Sequence, residues 1–183
     1  MPIIQLIGIF IVSKQNNIFL IGLMGAGKTT VGKQLAKQLG KTFYDADHEI
    51  EKRTGVKVSV IFDLEGEVGF RKREADVIQE LAQLENIVLA TGGGAVLSEA
   101  NRAVLQNNGH VIYLRATVND LWKRMRYDKQ RPLLQNVDIQ TKLEALYMER
   151  HPLYTATAHS IVDTGRQPVA TLINQIKKTY LEP

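Results

Sequence analysis

The 183-residue sequence has no cysteine, which excludes a disulfide framework and any thiolate-bound metal and favours a reducing compartment, the cytosol. It also lacks an apolar run of membrane-spanning length. Residues 3–12 are apolar, but a spanning helix needs roughly 20 such residues. No basic residue precedes that run and no small-x-small cleavage site follows it, so a secretory signal is not expected. Residues 1–16 read instead as a dispensable N-terminal extension or an early start. Aromatic residues are sparse around the main basic cluster, Lys123, Arg124, Arg126, Lys129 and Arg131, where only Trp122 and Tyr127 lie nearby. A surface that stacks single-stranded nucleic acid interleaves more rings with its cations. Neither nucleic acid nor a membrane is therefore the expected partner, and helical spacing makes Trp122 a packing residue. Internal repeats and low-complexity tracts are also absent.

What remains is ordinary for a folded chain: 44% hydrophobic and 23% charged residues, in a length that suits one well-buried core, expected over residues 17–183. The net charge of +4 and pI near 9.3 fit either nucleic acid or a site that grips phosphates and a carboxylate. Short apolar runs at residues 18–23, 42–46, 87–91, 110–115 and 160–163 alternate with longer helical patterns. This alternation predicts a three-layer α/β fold, a five-stranded parallel sheet with helices on both faces. One helix is expected over 28–39, with Val31, Leu35 and Leu39 at helical spacing and Gly40 as a left-handed cap. A second is expected over 67–84, with Phe70, Val77, Ile78, Leu81 and Leu84 on its inner face. The polar stretch around residues 125–138 breaks the alternation and reads as a functional lid.

The most specific string is Gly22-Leu23-Met24-Gly25-Ala26-Gly27-Lys28-Thr29-Thr30, a GxxxxGK[ST] motif set directly after a strand and directly before a helix. Chemistry requires those residue types at that spacing. Glycines let successive backbone N–H groups curl toward phosphate oxygens, Lys28 adds an ammonium for the β and γ phosphates, and Thr29 offers a hydroxyl to Mg²⁺. The chain is expected to bind a nucleoside triphosphate with Mg²⁺.

Further features gain meaning from their order. Asp45 and Asp47 sit two apart at a strand's carboxyl end, where their side chains share one face of an extended chain. They either serve a metal and an attacking hydroxyl or cap the following helix. Gly92-Gly93-Gly94 follows a buried strand and allows close approach of a ligand or a simple turn. Phe70-Arg71, Arg131-Pro132-Leu133-Leu134 and Glu149-Arg150-His151-Pro152-Leu153-Tyr154 complete the set; each arginine alone would read as a solvated surface charge.

Taken together, GxMGxGK[ST], FxDxD, FR, GGG, RPLL and ERxPLY, in this order, resemble the shikimate kinase family from about Asn17 to the C-terminus. The resemblance implies a P-loop kinase fold and transfer of the ATP γ-phosphoryl group to the 3-hydroxyl of shikimate, in the chorismate and aromatic amino-acid pathway. It implies that Gly25, Ala26, Gly27, Lys28, Thr29 and Thr30 hold ATP, that Thr29 and Asp45 serve Mg²⁺, and that Asp47 orients the ring hydroxyls and is the candidate base. Arg71 and Arg150 would hold the shikimate carboxylate, with Gly92, Gly93 and Gly94 lining the pocket. The lid would carry Arg131 to the transferring group, and Arg124, Arg166 and Gln167 would lie on the adenine side. A monomer in the cytoplasm is expected. Rival readings are a gluconate-type or nucleoside-type kinase, which would lack the joint set, and a nucleic-acid-associated ATPase.

Overall fold

A computed structural model describes residues 16–127 and 138–181. Its centre is strand β1 (Ile18–Ile21), whose four residues are all fully buried. Such a run, apolar on both faces, is what a central parallel strand covered by two helical layers requires. Around it lie β2 (Thr42–Asp45), β3 (Ile87–Ala90), β4 (His110–Arg115) and β5 (Ser160–Asp163), all pairing in parallel in the order β2-β3-β1-β4-β5. The five expected strands are present, with the first three ending one or two residues earlier than their apolar runs. Asn17, 1% exposed, fixes the start of the sheet: its amide donates to Leu84 O at 2.6 Å and its Oδ1 accepts from Ile87 N at 3.0 Å.

Among the described residues seven α-helices accompany the strands: α1 (Lys28–Leu39), α2 (Ala46–Thr54), α3 (Val58–Ala82), α4 (Glu99–Asn108), α5 (Val118–Met125), α6 (Ile139–Thr157) and α7 (Val169–Leu181). Helix α1 occupies its expected span, and Gly40 ends it at φ 64°, its N–H donating to Ala36 O. Helix α3 departs from expectation. It begins at Val58, ahead of the expected 67–84, and runs across a kink at Gly66, where φ is 68° and ψ −176°. Residues with a Cβ rarely adopt that backbone, so glycine sets the break. An ion pair spans it, with Arg73 donating to Glu65 at 2.7 and 2.9 Å. The core fills both sides of the sheet with side chains such as Phe19, Leu35, Ile50, Ile78, Leu105, Tyr113 and Tyr154, each fully buried aliphatic contributing about 1.5–3 kcal/mol. No helix among the described residues is long and apolar enough to cross a membrane.

This topology places the ends of β1, β2 and β3 side by side, and the loops that follow them carry the motifs. Crevices outside the carboxyl ends of parallel strands are where such sheets bind ligands.

Candidate active site

Beyond β1 the chain turns through Gly22–Gly27 into α1. Gly25 and Gly27 take φ of 79° and 97°, the left-handed region that lets the loop curl tightly with its N–H groups inward. Lys28 is buried, and its Nζ donates to the carbonyls of Gly22 at 2.7 Å and Leu23 at 2.9 Å, so the ammonium is held within the curl of the loop. The loop opens onto a cavity of about 610 Å³ lined by Gly25 to Val31, Asp45, Asp47, Arg124 and Gln167, a volume suited to a nucleotide. Arg124 ties the cavity's two rims together: Nη1 donates to Gly25 O at 2.9 Å and Nη2 to Gly165 O at 2.8 Å. Gln167 Nε2 donates to Asp163 O at 2.7 Å. Arg166 is exposed and is not among the lining residues, and Arg131 lies outside the described residues.

The paired acids are arranged differently from the sequence expectation. They do not share one face of a strand, because β2 ends at Asp45 and Asp47 already lies in the first turn of α2. The cause is local: Asp45 Oδ1 accepts the His48 N–H at 3.2 Å, an N-cap that starts the helix at once. The same carboxylate accepts from Thr29 Oγ1 at 2.6 Å through its other oxygen. Of the two expected roles the cap is thus observed, with one oxygen of Asp45 starting α2 and the other accepting from Thr29 at the start of α1. Acids in a first turn also suit the positive end of the helix dipole.

A second cavity, about 70 Å³, is lined by Met24, Asp47, Val58, Phe62, Phe70, Arg71, Glu74, Gly92, Gly93, Gly94 and Arg150. It shares Met24, Asp47, Gly92 and Gly93 with the first, so the two meet at Asp47. The glycines here make room. A Cβ on Gly94 would stand 2.1 Å from Arg71 Nη2, and one on Gly92 would stand 2.4 Å from Glu74 Oε1 and 3.1 Å from Asp47 Oδ1. Gly92 and Gly94 thus make room for the charged side chains opposite, whereas a Cβ on Gly93 would meet nothing closer than 3.5 Å. Arg150 is 3% exposed, with Nε donating to Glu149 at 3.3 Å and Nη1 without a hydrogen-bond partner among the described residues. A buried guanidinium with an uncommitted N–H group is an anion-binding element.

Glu74 was not foreseen. It is fully buried, and its Oε2 accepts from Arg71 Nη1 at 2.7 Å while Oε1 has no hydrogen-bond partner among the described residues. Burial pushes its carboxyl above the usual glutamate range, Arg71 pulls it back, and Asp47 adds to the rise. The signal was present in the sequence: Glu74 falls on the stripe of Phe70, Val77, Ile78 and Leu81, where a charge must be buried, three residues after Arg71. Thr91, Thr164, Val169 and Leu172, which line the larger cavity, carried no such signal.

A model of the shikimate kinase family matches residues 24–181. Among curated relatives, the shikimate kinase of Thiobacillus denitrificans is 61% identical over 158 residues, 86% of each chain. That of Burkholderia lata is 59% identical over 160 residues, 87% of each. Among solved structures, the shikimate kinase of Acinetobacter baumannii in complex with shikimate superposes with a TM-score of 0.89 at 46% identity, covering 91% of this chain and 93% of that one. With the phosphate loop, the two joined cavities and the parallel sheet already in place, these matches leave one assignment: the chain belongs to the shikimate kinase family.

Proposed function

We propose that this chain transfers the γ-phosphoryl group of ATP to the 3-hydroxyl of shikimate, giving shikimate 3-phosphate and ADP on the route to chorismate and the aromatic amino acids. The observation that carries this reading is the meeting of two cavities at Asp47, one built on a phosphate loop and the other on two arginines. Shikimate is a carboxylate bearing neighbouring hydroxyls. Arg71 and Arg150 hold the carboxylate through paired, charge-assisted hydrogen bonds, and Gly92, Gly93 and Gly94 let the ring lie against the backbone. The ring's hydroxyls then face Asp47, which orients the attacking group and takes its proton as the new P–O bond forms and the bond to the β–γ bridging oxygen breaks.

On the donor side the N–H groups of Gly25, Ala26 and Gly27, with Lys28, Thr29 and Thr30, cradle the phosphates, while Arg124 and Gln167, which line the cavity, serve the adenine end. The donor set fits Mg²⁺. Thr29 and Asp45 offer hard oxygens 2.6 Å apart, and among the described residues no group of three or more His, Cys, Asp or Glu forms an all-protein cage. That suits an ion which keeps most of its shell from phosphates and water. When bound, Mg²⁺ neutralises charge on the phosphate oxygens; Thr29 would hold it directly and Asp45 through water. Arg131 and the lid over residues 125–138 keep their family roles of stabilising the transferring group and excluding water. The setting is the cytoplasm and the acting form a monomer, without nucleic acid or membrane.

The carboxylate clamp is tested by Arg71→Lys and Arg150→Ala. Lysine at position 71 keeps the charge that neutralises Glu74 but loses the planar fork, which separates binding from stability. Each variant raises the KM for shikimate by about 10- to 100-fold, the worth of a charge-assisted hydrogen bond, and changes that for ATP far less. If both variants weaken only ATP binding, the acceptor is misplaced.

The catalytic domain is residues 17–183. Asn16 already belongs to its edge, since its carbonyl accepts from Lys41 Nζ at 2.6 Å and its side chain meets the Tyr180 hydroxyl. Removing residues 1–15 therefore leaves turnover and melting temperature nearly unchanged. A large drop in melting temperature would show that the extension packs on the core.

A further inference from the structure

The loop Gly92-Gly93-Gly94 borders the acceptor cavity yet has no side chain with which to hold its own shape. Three consecutive glycines have the widest backbone freedom of any tripeptide, so an ordered conformation needs restraint from outside. One restraint comes from α6. The hydroxyl of Tyr154 donates to Gly93 O at 2.5 Å. Tyr154 is fully buried and stands four residues after Arg150, one turn along the same face of the helix.

The phenol is itself held in place. Its ring packs on Tyr113 at 4.9 Å between centroids, Tyr113 OH lies 3.1 Å from His151 Nδ1, and the His151 ring stacks on Tyr147 at 4.8 Å. Burial also pushes the Tyr154 hydroxyl well above the usual tyrosine range, so it remains a protonated donor across physiological pH.

A trans peptide is planar, and its C=O and N–H point in opposite directions. Tyr154 does not line the acceptor cavity, whereas all three glycines and Arg150 do. Holding the Gly93 carbonyl therefore also fixes the direction of the Gly94 N–H, in a loop whose three glycines all line the cavity. We infer that Tyr154 is a positioning residue for the acceptor: its hydroxyl fixes the Gly93–Gly94 peptide, and thereby the backbone face that the acceptor's hydroxyls meet, in register with Arg150 on the same helix. This deepens the acceptor reading above and rests on it.

The test is Tyr154→Phe, which keeps the ring packing and removes the hydroxyl that holds Gly93 O and also faces Arg150, so amide exchange in the glycine loop is read beside the kinetics; Tyr113→Phe is the control, since it removes the neighbouring contact to His151 and leaves Tyr154 bonded to Gly93. Tyr154→Phe raises the KM for shikimate by about 5- to 10-fold, the worth of one hydrogen bond, with the KM for ATP held within about twofold. Amide exchange at residues 92–95 accelerates by a similar factor, and Tyr113→Phe does neither. An unchanged shikimate KM in Tyr154→Phe, or an equal rise in both KM values, overturns the inference. Unchanged exchange overturns it whatever the acceptor proves to be, whereas failure of the wild-type chain to use shikimate at all would strike the acceptor reading alone.

Discussion

Lys28→Met lowers kcat by about 10²- to 10³-fold or more while the KM for ATP moves much less. Methionine matches the length and packing of the buried stem, so what is lost is charge and hydrogen bonding. Lys28 is held by two loop carbonyls, at 2.7 and 2.9 Å, and in the proposed reaction its ammonium meets the negative charge that gathers on the transferring group. A cation aimed at charge that develops in the transition state contributes more there than to the bound ground state, which is why turnover and not affinity carries the loss. Steady-state kinetics with a melting curve decide the matter, since the variant also gives up two hydrogen bonds that shape the loop. A folded variant with near-normal turnover would remove the phosphate-cradle assignment.

The second large effect is at the junction of the cavities. Asp47→Asn keeps the size and an acceptor atom but loses the negative charge that, in the proposed reaction, draws the proton from the hydroxyl, and kcat falls by about 10²-fold or more. Asp45→Asn behaves differently. Its carboxylate faces Thr29 at 2.6 Å, and with this pair serving Mg²⁺ as proposed, the defect is one of metal affinity and is partly relieved by raised Mg²⁺ through mass action. Raised Mg²⁺ gives Asp47→Asn no relief. A fall confined to the shikimate KM would make Asp47 a positioning group, and normal kinetics would take it out of the site.

These contrasts rest on geometry that the sequence conveyed unevenly. The phosphate loop was fully legible because its chemistry is local: strand, curl, lysine and helix are contiguous, and tight backbone geometry admits few residue types. The sheet was legible because buried parallel strands read as unbroken apolar runs. Helix α2 was not, since only Ala46 and Ile50 of its nine residues are buried, which leaves too little apolar periodicity to read. The front of α3 was hidden by the break at Gly66 and by Leu64 and Val68, 80% and 85% exposed on either side of it. Consequently Val58 and Phe62, which form part of the acceptor cavity, had no place in the sequence reading.

The acceptor site shows the same division. Arg71 and Arg150 became legible only through the order of motifs, because a lone arginine has no local signature of burial. What holds Arg71 is tertiary: Gly94 leaves the volume that its guanidinium fills, and Glu74 on the buried stripe of α3 gives it a partner at 2.7 Å. The Arg124 bridge between Gly25 and Gly165 joins residues 99 and 41 positions away in sequence. No spacing rule reaches that far.

The most direct measurement is acceptor-dependent ADP release by the purified full-length chain with ATP and Mg²⁺, comparing shikimate, gluconate, a nucleoside monophosphate and no acceptor, with the phosphorylated product located by phosphorus NMR. Two arginines across from Asp47 predict release with shikimate far above the other three and a single phosphate ester at the 3-hydroxyl. Faster release with gluconate or the nucleotide, or release that ignores the acceptor, would contradict the account.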